Sequence, residues 1–179
     1  MKKIVPCLWF DGKAEEAVRF YAKVFKKSKI GKVTYYDDAS SEVSGQKKGS
    51  ILTIEFSLNG QDFLALNGGP IFKFTEALSL MVMCDDQKEV DYYWKALTKG
   101  GEEQPCGWLK DKYGLSWQVV PKDWSKILFD KDPLKAEAAM RAMLEMKKLD
   151  VRKIEAAKKS VAPKRSAEKP KKRAAKSKR

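Results

Sequence analysis

The sequence predicts an α+β fold built from a duplicated βαβββ unit, on three observations. Short apolar runs bounded by Asp-Gly, Asn-Gly and Gly-Gly pairs read as strands that end in turns. Two amphipathic stretches each follow such a run, as helices packed on a sheet do. The order strand, helix, three strands is completed before Gly68-Gly69-Pro70 and begins again after it, although the halves share little residue identity.

Residues 4–10 form an apolar run closed by Asp11-Gly12, a strand and its turn. In 13–25, Ala14, Ala17, Val18, Tyr21 and Phe25 recur at three- and four-residue spacing, giving an amphipathic helix. A second strand spans 30–36, and the polar stretch 37–49 reads as a loop or wide hairpin turn. Residues 50–58 and 61–67 make a hairpin across Asn59-Gly60, the strongest turn signal in the chain.

The second unit opens with a strand over 78–84. Asp85-Asp86 starts a helix over 87–99 that buries Val90, Tyr93, Trp94 and Leu97 and stops at Gly100-Gly101. A short segment near Glu103-Gln104 precedes two strands within 106–121, joined by a turn at Tyr113-Gly114. Alternation over 115–120 places Ser116 and Gln118 on one face and Leu115, Trp117 and Val119 on the other. Gln118 is a polar amide on a strand face that closes a cavity, or an ordinary satisfied amide. Trp117 reads as core, and Asp11, Lys110, Asp111 and Lys112 as turn and solvent-facing charges.

Two further helices follow. Residues 134–148 carry a stripe of Ala136, Met140, Met143 and Leu144, and Asp150 caps a helix through Val151, Ile154 and Ala157. Met140, Met143 and Met146 suit core packing or a dimer contact. The expected divisions are 1–70 and 71–125 for the two units, 126–157 for the C-terminal helices, and a disordered basic tail over 158–179.

Composition narrows the chemistry. The chain of 179 residues contains no histidine, which excludes a Ser-His-Asp triad, a Cys-His pair and an HExxH zinc site. Cys7, Cys84 and Cys106 form no CxxC pair and leave one thiol unmatched, which suits a reducing compartment. No run reaches the roughly 18 apolar residues of a membrane span, and no signal peptide follows the first lysines. A cytoplasmic location is expected, nucleoid- or nucleus-associated through the tail; Lys169-Pro-Lys-Lys-Arg173 would pass as a nuclear import signal. The net charge of +13 is concentrated in that tail: 158–179 holds 11 of the 37 Lys+Arg and one acid, leaving 26 basic against 23 acidic residues elsewhere. Glu55 and Glu76 are candidate general bases by type, but nothing pairs them, and exposed-face carboxylates is the better reading.

Pro6-Cys-Leu-Trp-Phe-Asp-Gly-Lys-Ala-Glu-Glu-Ala17 with Phe20-Tyr21, Leu66-Asn-Gly-Gly-Pro70, Tyr92-Tyr-Trp94, Cys106-Gly-Trp-Leu-Lys-Asp111 and Gly114-Leu-Ser-Trp-Gln118 resemble the PhnB-like branch of the vicinal-oxygen-chelate superfamily. That superfamily contains glyoxalase I, extradiol dioxygenases and the bleomycin- and fosfomycin-resistance proteins, and this branch is often named demethylubiquinone methyltransferase-like. The resemblance covers residues 3 to about 157. It implies a curved, glyoxalase-like sheet made by paired βαβββ modules that cup a ligand.

In metal-using members, side chains from strands 1, 4, 5 and 8 hold a divalent Lewis acid. Carried over, those positions fall near Pro6-Cys7, near Ala65 with Asn67 two residues on, near Ser79-Leu80, and at Gln118. None is His, Asp or Glu, so no metal is expected. No glycine-rich turn suits S-adenosylmethionine either, so no cofactor is expected.

Trp9, Trp108, Phe72 and Phe74 would wall the cup, with Trp117 a fifth candidate better read as core, and Cys7, Asn67, Ser79 and Gln118 would be its polar points. Cys7, Trp9, Asn67, Ser79, Trp108 and Gln118 are therefore the candidate ligand-binding residues, with Cys7 a buried structural thiol rather than a nucleophile. The expectation is a metal-independent, homodimeric small-molecule binding protein. The alternative is an enzyme of unassigned activity, either methyl transfer or metal-assisted glyoxalase-type chemistry. In the tail, Lys164, Arg165, Lys171, Lys172, Arg173, Lys176, Lys178 and Arg179 suit non-specific nucleic-acid binding through phosphates. No aromatic is present there to stack on bases, and a solvated appendage or an anionic-membrane contact stands beside that reading.

Overall fold

A computed structural model describes residues 4–161. The first unit runs β1 (Cys7–Phe10), α1 (Ala14–Val24), β2 (Ser28–Tyr35), α2 (Asp38–Ser44), β3 (Ile51–Leu58) and β4 (Gln61–Asn67). The second runs β5 (Ser79–Cys84), α3 (Gln87–Leu97), β6 (Glu102–Glu103), β7 (Trp108–Lys110) and β8 (Ser116–Pro121). Helices α4 (Trp124–Leu128), α5 (Pro133–Leu144) and α6 (Val151–Ser160) follow.

Each unit builds a four-stranded sheet. The orders β1-β4-β3-β2 and β5-β8-β7-β6 coincide when the units are matched element by element. In both, the first strand pairs parallel with the last and the other pairings are antiparallel. The repeated order of elements is a repeated topology. Asn59 and Gly60 take φ of 47° and 81°, the left-handed pair that a two-residue turn between β3 and β4 needs.

Helix α1 buries Ala14, Ala17, Val18 and Tyr21, with Phe25 buried just beyond it, and α3 buries Val90, Tyr93, Trp94 and Leu97. These faces join the two units in one apolar cluster. Phe25 stacks on Tyr93 at 5.1 Å and on Trp117 at 5.5 Å, and the Tyr92 hydroxyl donates to Val24 O at 2.9 Å. Leu8, Phe10, Val82, Cys84, Trp117 and Val119 point into this core. Their alternating neighbours, Cys7 and Trp9 on the first sheet and Ser79, Met81, Met83 and Gln118 on the second, occupy the opposite faces.

Four expectations change. The stretch 37–49 contains helix α2, with Asp37 and Ser40 capping each other (Ser40 N to Asp37 Oδ1 2.8 Å, Asp37 N to Ser40 Oγ 2.9 Å). It buries no residue, so no apolar period announces it. Helix α4, too short to show a period, was likewise not anticipated. Helix α5 ends at Leu144, which is exposed; the packed positions are Ala139, Met140, Met143 and Met146. Lys158 is the last change: α6 continues through it to Ser160, and it is buried rather than the start of a tail. Its ammonium reaches Ile127 O at 3.2 Å, Glu155 at 3.3 Å and Asp130 at 3.4 Å, one turn after buried Ile154 on the same face. The basic tail residues from Lys164 to Arg179 lie outside the described residues.

Candidate functional site

The outward face of the second sheet holds the candidate residues that meet one another. Parallel pairing sets Ser79 against Ser116 and Met81 against Gln118, while β7 brings Trp108 opposite Gln118. Gln118 Nε2 donates to Ser79 Oγ at 2.9 Å. Trp108 is half-buried, and Met81 and Met83 are among the exposed large apolar side chains. This face is apolar with a neutral amide and a hydroxyl at its middle.

The first sheet carries Cys7 and Trp9 separately. Trp9 Nε1 donates to Gly69 O at 2.8 Å, and its ring meets Phe72 edge-on at 4.9 Å. A Cβ on Gly68 would overlap the Trp9 indole, so this glycine accommodates the ring, while Gly69 takes a left-handed φ of 84°. Trp9, Phe72, Phe74, Tyr113 and Lys112 line a cleft of about 640 Å³ between the units. Cys7 is exposed rather than buried, since it alternates with core-facing Leu8, and partial desolvation pushes its thiol up and away from the thiolate a nucleophile needs. Asn67 is buried and acts as a brace: its Oδ1 accepts from Ala14 N (2.9 Å) and its Nδ2 donates to Ile51 O (3.0 Å). Glu76 pairs with Lys110 at 2.5 Å, which holds it down to about 2 and makes it an ion-pair member rather than a base.

The divalent ion that the resemblance implies does not fit this donor set. Ala65 faces the core, fully buried. Ser79 and Gln118 are neutral and bonded to each other, and Cys7 stands on the other sheet. Two neutral oxygens and a thiol on the other sheet are poor ligands for a hard cation. Among the described residues no group of three His, Cys, Asp or Glu side chains is placed to hold a metal. S-adenosylmethionine does not fit the glycines either: the Gly68-Gly69 bend is filled by Trp9, and both sheets are mixed rather than doubly wound.

Asp111 is the residue that sequence reasoning misplaced. Read as solvent-facing, it is only 3% exposed. Its Oδ2 accepts from Tyr21 OH (2.7 Å) and Trp117 Nε1 (2.8 Å), and its Oδ1 from the backbone N–H of Tyr113 (2.8 Å) and Leu115 (3.1 Å). The carboxylate thus closes the β7–β8 turn and ties α1 of the first unit to the second. The signal was present in Asp111-Lys-Tyr-Gly114, because an aspartate that bonds the N–H two residues on marks a turn, and two buried rings nearby need an acceptor.

Comparison with known proteins adds the family. The family model for 3-demethylubiquinone-9 3-methyltransferase matches residues 2–120. The PhnB protein of Bacillus cereus is 36% identical, over 66% of this chain and 99% of its own, with a TM-score of 0.59. A Pseudomonas aeruginosa protein shares the fold at 20% identity and a TM-score of 0.54, over 68% of this chain and 98% of its own. No curated protein matches the chain. With the motifs of both units and this match in agreement, the chain belongs to the PhnB-like, 3-demethylubiquinone-9 3-methyltransferase family.

Proposed function

We propose that the protein binds a small molecule without a metal ion and works as a homodimer. The observation that carries this reading is the Ser79–Gln118 hydrogen bond at two positions where metal-using relatives place ion ligands, on a face otherwise made of Met81, Met83 and Trp108. Such a surface suits an apolar ligand with one or two hydrogen-bonding groups. Homodimerisation rests on Met81, Met83, Leu78 and Ile71 being exposed, since apolar groups gathered on a surface favour a partner.

The test uses one purified sample. Thermal shifts of the full chain against Mn²⁺, Zn²⁺ and Ni²⁺, and separately S-adenosylmethionine, are expected to be flat, and sedimentation at micromolar concentration to give a dimer. Stoichiometric bound metal, or a saturable shift with S-adenosylmethionine, would move the reading to an enzyme. A monomer in sedimentation would remove the dimer.

For the tail, the proposal is salt-sensitive attachment to nucleic acid, supported by nine Lys+Arg against one acid over 162–179. Truncation after Val161, which spares the anchored Lys158, should abolish retention on DNA at low salt and leave the melting temperature unchanged. Undiminished retention would discard the tail's role.

A further inference from the structure

The family match stops at residue 120, and two thirds of this chain covers nearly all of the Bacillus cereus relative. Helices α4, α5 and α6 are therefore an addition to the two repeated units. They are fastened to the second unit. Cys106 N donates to Met146 O at 2.8 Å and Gly107 N to Lys147 O at 2.7 Å. To make these bonds Cys106 takes φ of 60°, a left-handed conformation uncommon for a residue with a side chain. Gln87 on α3 grips the next segment, donating to Leu149 O (2.9 Å) and accepting from Val151 N (3.1 Å).

Between this cap and the outward face of the second sheet lies a cavity of about 180 Å³. Met81, Trp108 and Gln118 line it from the sheet, and Trp124, Met143 and Ile154 from the cap. No charged side chain among the described residues borders it. The pocket is partly open, with Met81 exposed at its edge, and a dry apolar cavity of about 150 Å³ is already large enough to take benzene. With no countercharge among these lining residues, an ionised ligand would be desolvated without compensation, so an uncharged one is favoured. Gln118 contributes the polar point: its Nε2 is engaged by Ser79, and its side-chain oxygen has no partner among the described residues.

We propose that this pocket binds an uncharged single-ring aromatic compound that donates one hydrogen bond to the Gln118 side-chain oxygen. The proposal rests on the small-molecule reading above and places the site within one chain, built by an element the family's two units lack. Trp108 and Trp124 offer flat walls to the ring, and the Met81 and Met143 thioethers adapt to its edge.

Calorimetric titration of the full chain with phenol, toluene and benzoate tests it. Phenol should saturate at one per chain, toluene should bind about tenfold more weakly for want of the hydrogen bond, and benzoate should not bind. Met143→Trp, which fills the cavity, should abolish phenol binding, whereas Leu144→Glu on the cap's exposed side should not change it. Should Met143→Trp fail to fold, Gln118→Leu decides: phenol binding should fall to the level of toluene, with toluene unchanged. Phenol binding that survives in folded Met143→Trp, or in Gln118→Leu at full strength, overturns the pocket. If Trp9→Ala abolishes it while folded Met143→Trp does not, the ligand lies across the two units. That result sinks this proposal but leaves small-molecule binding standing. No binding of any probe in the wild type also overturns the pocket, and leaves the broader reading to the metal and S-adenosylmethionine titrations.

Discussion

Asp111→Ala is expected to destabilise the protein by about 4 kcal/mol in equilibrium chemical denaturation. The substitution leaves Tyr21 OH, Trp117 Nε1 and two backbone N–H groups without their acceptor. An unsatisfied buried donor costs roughly 1–3 kcal/mol, and hydrogen bonds to a charged group are the stronger kind. Since domains hold only about 5–15 kcal/mol in total, much of the variant should be unfolded near its growth temperature. A loss under 1 kcal/mol would mean that water replaces the carboxylate.

The pH dependence has a definite sign. Desolvation pushes the Asp111 carboxyl above its ordinary 3.8, against the hydrogen bonds that favour its ionised form. Burial and that same carboxylate hold the Tyr21 hydroxyl well above 10.0, so it stays a donor. A folded-state pKa above the unfolded one means that the native state binds the Asp111 proton more tightly. The stability this contributes is complete below about 3.8 and is lost as pH rises through the folded value. Asp111→Asn cannot titrate, so its deficit against the wild type should narrow as pH rises above 3.8.

Gly101→Ala should cost about 3 kcal/mol, at the upper end of what overpacking does. A Cβ there would overlap the Lys110 carbonyl oxygen and lie 2.8 Å from Asp111 C and 2.9 Å from Asp111 Cα. Backbone cannot swing away as a side chain can, so the turn from α3 to β6 would have to move as a whole. Gly60→Ala, with nothing within 4 Å of the added methyl, isolates the cost of a left-handed backbone alone. If both variants lose the same stability in denaturant titrations, the steric account of Gly101 is wrong.

Periodicity announced the elements that bury a face. Ala14, Ala17, Val18 and Tyr21 on α1, and Val90, Tyr93, Trp94 and Leu97 on α3, are buried as their spacing requires. Helix α2 buries nothing and α4 spans five residues, so neither left a pattern to read. At the candidate site, strand alternation and the family resemblance both single out Gln118, whereas Ser79 is reached through the resemblance alone. Asp111 was not, because charge type suggests water and only a turn three residues long reverses that suggestion. The cavity under the cap was invisible for another reason: it depends on where α5 and α6 return, and spacing within a helix carries no information about its destination.

Strand β5 has a consequence beyond the site it helps to line. Of the four strands that end the two sheets, β1 is four residues long and follows Pro6. β2 carries Lys29 and Lys32 with breaks in its register, and β6 is two glutamates. Each is poorly shaped to accept a neighbouring strand. β5, with the sequence Ser-Leu-Met-Val-Met-Cys, has six residues, no charge, no proline and an unbroken register with β8. Among the described residues its outer edge pairs with no strand and borders a cleft against Pro6, Leu58 and Phe63 of the first unit, so a strand added to this molecule would meet least resistance there.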